Sequence, residues 1–282
     1  MPIEARMFFL QAITPVHVGA GQSIDSVVDL PVMRERATGH PIIPASALKG
    51  VLRDGRTDPE ANQIYGAAPD RDGSSGQAAR LVLTDARLLF LPVRSFFGTY
   101  ALITSPTVLY RWQRDAEALG CEILPKPSVY RDQTAFVAPD SLVKHSSGTD
   151  GPKVILEDLD LDAEELGADW VQLLTRLIFS KEEERRSFTQ HLAIVDDAIF
   201  DFFARSGLEV RARVQLEGET KTVKEGPWYE EVIPAEAIFV FIAATEDKHY
   251  FDEITKRSLI QLGGQASIGR GLVRLVGGVH GS

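Results

Sequence analysis

The chain has 282 residues, 44% apolar and 25% charged, an ordinary composition for a folded globular protein with ample length for a large core. Forty acidic against 30 basic residues leave a net charge of −10, which excludes a generally basic nucleic-acid binder: a polyanion would have to meet a local concentration of cations. The lone cysteine, Cys121, excludes an intramolecular disulfide and a cysteine metal cluster; with no apolar run of ~18 residues and no export leader, a cytoplasmic protein without a membrane partner is expected.

In chain order, a strand over Met7–Ile13 stops at Thr14-Pro15. A turn at Gly19 and Gly21 leads into a polar loop carrying Asp25 and Asp29, and Pro41 and Pro44 stop the chain again. The spacing then predicts a helix over Ser46–Arg53 with Ser46 as N-cap, Leu48, Val51 and Leu52 facing a core, and Lys49 and Arg53 together on another face. Such an arrangement can hold a phosphate backbone through N–H groups and cations, or be no more than a structured loop with a surface helix. Lys49, Arg53 and Arg56 supply a local basic cluster.

Residues 55–78, rich in Gly, Asp and Ser, are expected to form a mobile loop. Strands follow at Ala79–Leu91 and Ala101–Thr104, with Arg94 and Ser95 after the first as phosphate contacts or as plain surface residues. A helix over Pro106–Leu119 precedes residues 120–169, which show little periodicity and suit either an irregular subdomain or a partner-docking surface. Further on come a helix at Trp170–Phe179, a strand at Ser187–Val195 and a helix at Asp197–Arg205.

Residues 209–234 predict a long β-hairpin: Arg211 and Arg213 make one strand face basic, and Gly218 and Gly226 flank a polar tip. Trp228 and Tyr229, just after the tip, suit a wedge that stacks on bases, or simple packing beneath the hairpin. A strand at Ala237–Ala244, an amphipathic helix at Asp252–Leu262 and a strand at Gly271–Val276 complete the pattern. The glycine-rich Leu262–Leu275 does not open a helix, which counts against a dinucleotide fold; it suits close passage of a nucleic-acid backbone past Arg270, or a tight turn. Together these elements indicate an α+β fold with insertions.

Serine-hydrolase and zinc-protease motifs are absent, which leaves carboxylates and His17. RNA brings its own nucleophile, the 2′-OH, so a ribonuclease needs only positioning, a proton acceptor or metal, and charge stabilisation. A loop aspartate such as Asp29 can hold a hydrated Mg²⁺ or act on the 2′-OH itself.

Several stretches resemble the RAMP superfamily of CRISPR effector proteins. Thr14, Pro15, His17, Gly19 and Gly21 match its first turn; Val28, Asp29, Pro31, Arg34 and Glu35 match the following loop; Gly39, Pro41, Ile43, Pro44, Ser46, Leu48, Lys49, Gly50, Leu52 and Arg53 match the helix start, with Ala45 departing from the usual glycine. The LFLPVRS run, Thr220–Gly226 with Tyr229–Glu231, and the GG…SIGRGL element extend the match and resemble the type III-B (Cmr-type) backbone subunit. The resemblance implies a ferredoxin-like, RRM-related palm, one domain over residues 1–282, with finger insertions at 95–190 and a β-hairpin thumb at 209–234. It also implies copies stacked along a CRISPR guide RNA beside other Cmr subunits, each cutting paired single-stranded target RNA, with a divalent metal (Mg²⁺ or Mn²⁺). Asp29 is then the first catalytic and metal-holding candidate, followed by His17, Tyr229 and Glu230. Gly19, Gly21, Ser46, Lys49, Arg53, Arg94, Trp228 and Arg270 are the RNA-binding candidates. A non-catalytic scaffold and a stand-alone guide-processing endonuclease are the alternatives.

Overall fold

The computed structural model describes residues 3–22, 27–56, 58–67, 76–121, 131–146, 151–218 and 220–280. In chain order its elements are β1 (Glu4–Ala12), β2 (Ile42–Ile43), α1 (Ala45–Arg53), α2 (Pro59–Tyr65), β3 (Val82–Leu83), β4 (Ala86–Arg94), β5 (Tyr100–Thr104) and α3 (Pro106–Ala118). Then come β6 (Thr134–Val137), β7 (Lys144–Ser146), β8 (Pro152–Leu156), β9 (Leu159–Glu165), α4 (Ala168–Ile178), α5 (Glu182–His191), β10 (Leu192–Ile194) and α6 (Asp197–Ser206). Last are β11 (Glu209–Leu216), β12 (Val223–Val232), β13 (Ile238–Thr245), α7 (Asp252–Thr255), β14 (Leu259–Gln261) and β15 (Leu272–His280).

β1 lies between the two chain-distal strands β13 and β15, antiparallel to both, and β4 pairs on the far side of β13. Met7 to Leu10 are all buried, because helices or turns cover both faces of this strand. On one face Phe9 meets Trp112 of α3 edge-on at 6.3 Å; on the other Phe8 stacks on Phe241 at 5.4 Å and touches Phe251. These antiparallel strands with helices against them form the ferredoxin-like palm of an α+β fold, and the sheet continues unbroken through β5, β10, β6, β9 and β8 to β7. β11 and β12 form a separate two-stranded hairpin, the thumb, whose base is buried from Glu230 onwards and whose distal half is exposed.

Four stretches differ from expectation. Pro59–Tyr65, inside the expected mobile loop, is a helix: Asp58 caps it by accepting from the Ala61 N–H, and Ala61, Ile64 and Tyr65 are buried beneath it. Residues 134–165 hold β6 to β9 and extend the palm sheet; their short strands, broken by turns at Pro139 and Glu157, leave little periodicity to read. Ser187–His191 closes helix α5, where one apolar residue, Phe188, enters the core from a charged helix, so only Leu192–Ile194 is strand. Asp252–Leu262 divides into the short α7 and the edge strand β14, which pairs with β15. Asp25 and residues 68–75 of the expected loop lie outside the described residues.

Candidate active site

The site forms where the end of β1, the loop after it, the base of the thumb and the glycine-rich segment before β15 meet. The chain leaving β1 is tied to β15 by Thr14, whose hydroxyl accepts the Leu272 N–H at 3.0 Å. It is tied to the thumb by a reciprocal pair of bonds between Val16 and Ile233, each 2.9 Å. Gly263 closes the floor: its φ is +73°, and a Cβ there would sit 2.1 Å from the His17 carbonyl oxygen, so only glycine fits.

His17 is buried, and its Nδ1 lies 2.7 Å from the Glu231 main-chain oxygen. A carbonyl oxygen only accepts, so Nδ1 carries a proton, and Nε2 is the ring nitrogen left free for another partner. Nε2 faces Gly19, where an added Cβ would come within 2.9 Å of it. The half-buried Asp29 follows on the loop, and its Oδ2 accepts the main-chain N–H of Tyr229 at 2.7 Å. Among the described residues Oδ1 receives no hydrogen bond. Beside it the loop runs parallel to β12: the Leu30 N–H donates to the Tyr229 oxygen at 3.1 Å and the Glu231 N–H to the Leu30 oxygen at 3.0 Å. The structure thus brings together Asp29, His17, Gly19 and Tyr229, from sequence positions 200 residues apart and more.

Glu230 has another role than proton transfer. It is 1% exposed, and its carboxylate accepts from Arg213 (2.8 Å), Trp228 Nε1 (3.1 Å), Gln265 (2.6 Å) and Arg270 (2.9 Å). Burial alone would raise its pKa, but the donors Gln265, Trp228, Arg213 and Arg270 together outweigh this and hold it down at about 2. A carboxylate so saturated is a poor base at neutral pH; it locks the thumb base to the glycine-rich segment.

The same network removes Arg270 from the candidate phosphate contacts, because its guanidinium is buried against Glu230. Arg53 is likewise turned inwards, donating to the Gly66 oxygen and to Asn62, both at 2.6 Å, and Arg56 is held by Asp58, Glu60 and Glu253. Ser46 does not cap α1: Pro44 is the N-cap, and the first free N–H, that of Ala45, goes to Asp85 at 2.8 Å. A protein carboxylate therefore already occupies this helix start. Ser95 is buried on the Ile155 oxygen, Arg211 pairs with Glu209, and Arg213 also lies over the Trp228 ring. Arg94 remains largely exposed, in a surface pair with Glu157 at 3.0 Å, and Lys49 forms no ion pair among the described residues. Trp228 is half-buried and Tyr229 is 40% exposed.

Two residues that the sequence offered without a role, Arg34 and Glu231, hold this site in place. Both stood inside recognisable stretches, but their neighbours come from distant parts of the chain. As for a metal, no group of three or more His, Cys, Asp or Glu side chains converges among the described residues. A hydrated Mg²⁺ needs only one or two protein carboxylates, and Asp29 fits that demand.

A family model described as the RAMP superfamily matches residues 9–274. The CRISPR system Cmr endoribonuclease Cmr4 of Pyrococcus furiosus is 31% identical over 303 residues, covering 99% of this chain and 99% of that protein. The CRISPR system CMR subunit Cmr4 of Saccharolobus solfataricus is 25% identical over 293 residues, covering 95% and 94%. Among solved structures, oligomeric Cmr4 from Pyrococcus furiosus matches with a TM-score of 0.73 at 26% identity, covering 100% of both chains.

Proposed function

The chain belongs to the RAMP superfamily, and from that premise we propose that it is the backbone subunit of a type III-B (Cmr) CRISPR ribonucleoprotein that cleaves target RNA. In this role it is a single domain with insertions that acts in the cytoplasm, stacks with copies of itself and other Cmr subunits along a guide RNA, and cuts paired target RNA at regular intervals. Full-length similarity to a named Cmr endoribonuclease supports the RNA-cleaving activity. No helix is long and apolar enough to cross a membrane. A guide of any sequence must be held mainly through its backbone.

The observation that carries the catalytic reading is Asp29, pinned by one carboxylate oxygen to the thumb's main chain. The reaction needs little from the protein. The target's 2′-oxygen attacks the adjacent phosphorus, its proton passes to Asp29, and the 5′-oxygen leaves with a proton from solvent, giving a 2′,3′-cyclic phosphate and a 5′-hydroxyl. Alternatively, Asp29 would be the residue to hold a Mg²⁺ or Mn²⁺ ion, which when bound neutralises charge on the phosphate. His17, whose Nε2 lies against Gly19 under the turn, orients the substrate in this reading. Tyr229 supplies the main-chain amide that holds the carboxylate, and the residue is 40% exposed.

The test is cleavage of end-labelled complementary RNA by the complex reconstituted with its guide. Wild type is expected to give an evenly spaced ladder, and Asp29→Ala to bind guide and target normally without cutting. Undiminished cutting by Asp29→Ala would overturn the assignment, and binding without cutting by wild type would leave a scaffold.

A further inference from the structure

Asp29 receives its hydrogen bond from a main-chain amide, so where its carboxylate points depends on how the loop lies against β12. Glu231 sets that relation with four of its own atoms. Its N–H holds Leu30 (3.0 Å), its carbonyl oxygen holds His17 Nδ1 (2.7 Å), Oε2 accepts the Val32 N–H (3.0 Å) and Oε1 accepts from Arg34 (2.5 Å). The residue is 7% exposed, and both side-chain oxygens are engaged. Arg34 completes the clamp. Its guanidinium also donates to the oxygens of Gly39 (2.7 Å), Ala204 (2.8 Å) and Arg205 (3.1 Å), the last two at the C-terminal end of α6, where a cation is favoured by the helix dipole. The next residue, Glu35, is fixed in turn by a two-pronged bond to Arg111 of α3 (2.8 and 2.5 Å).

We propose that Arg34 and Glu231 are the positioning pair of this site: one clamp joins the Asp29 loop, His17, the thumb base and α6, and sets the geometry in which Asp29 meets RNA. Neither touches substrate. This rests on Asp29 being the catalytic carboxylate. A planar, forked guanidinium reaching four acceptors is not replaced by a lysine, and an amide at 231 keeps the volume but turns a donor towards Arg34. A loop displaced by about 1 Å costs roughly 10²-fold in rate when the reacting groups must be aligned.

The experiment uses the reconstituted complex with guide RNA, measuring single-turnover cleavage against target concentration for wild type, Asp29→Ala, Arg34→Lys, Glu231→Gln and the double variant. Arg34→Lys and Glu231→Gln are each expected to slow cutting at saturating target by about 10- to 100-fold. Target affinity should stay within about twofold, and the double variant should be no slower than the slower single one, as for groups acting as a unit. Wild-type rates in both variants beside an inactive Asp29→Ala would overturn the proposal and leave the catalytic reading intact. So would a loss of cutting matched by loss of target binding, or effects that multiply. Wild-type cutting by Asp29→Ala would instead remove the reading on which the proposal stands.

Discussion

Glu230 shows how far a residue's surroundings decide its chemistry. As a sequence letter beside an aromatic pair it is a candidate acid or base; surrounded by two arginines, a glutamine and an indole N–H it is an anion throughout the neutral range. Its folded pKa of about 2 lies below the ordinary 4.5, so its contribution is fully present above about 4.5 and is lost as pH falls towards 2. Wild-type unfolding free energy, followed by urea titration, should therefore fall through that window, and Glu230→Gln should start lower at neutral pH and show a shallower acid slope. Arg270→Ala should cost about 1.5–3 kcal/mol in the same assay, because it removes one charged donor from a buried carboxylate that keeps Arg213, Trp228 and Gln265. A loss below ~1 kcal/mol would place Arg270 back among the surface cations. The sequence singled out Glu230 as an acid or base and Arg270 as an RNA contact, but Arg270 sits between glycines as an RNA contact would, and nothing in the local pattern shows that it turns inwards.

At the scale of elements, the turn after β1 and the glycine-rich segment before β15 form one unit, since the Gly264 N–H bonds the His17 oxygen at 3.1 Å while Gly263 passes under it. Two adjacent glycines have opposite requirements. Gly263→Ala should destabilise the fold well beyond the ~1 kcal/mol of a tolerated glycine replacement and abolish cutting, whereas at Gly264 a Cβ meets nothing within 4 Å and alanine should be nearly neutral. Thermal melts of both proteins decide it; equal melting temperatures would mean the floor yields. The strands of the palm were legible because β1, β4 and β13 carry dense apolar runs, and the thumb because its arginine-bearing strand runs into a polar tip, although Gly226, read as the far boundary of that tip, lies inside β12. The ends of α5 and α7 were not, since each changes to strand within a residue or a few, and pairing with β5 or β15, not local composition, makes that choice.

Across the whole molecule the −10 charge comes with extensive pairing: many arginines near the site are held by carboxylates or carbonyl oxygens, whereas Arg94 is largely exposed beside Glu157 and the half-buried Lys49 forms no ion pair among the described residues. Guide affinity measured against salt should therefore lose about one unit of slope in Lys49→Ala or Arg94→Ala, while Arg53→Ala should leave the slope unchanged and lower the melting temperature. A slope change in Arg53→Ala would mean that its bonds to Gly66 and Asn62 break when RNA arrives. The loop, its carboxylate and the hairpin could be read in order along the chain. The clamp of Arg34 and Glu231 could not, because Arg34 meets Ala204, Arg205 and Glu231 across 170 to 197 positions and no local spacing records them.

That separation also has a consequence in time. A ribosome releases this protein from its first residue, so β1 emerges early and must wait for both of its neighbours, β13 and β15, the second of which begins only at Leu272. The amide that aims Asp29 arrives 200 residues after Asp29 itself. A nascent chain that has not yet reached Tyr229 therefore carries the aspartate with nothing to aim it, and the loop cannot take its place before the thumb has been made.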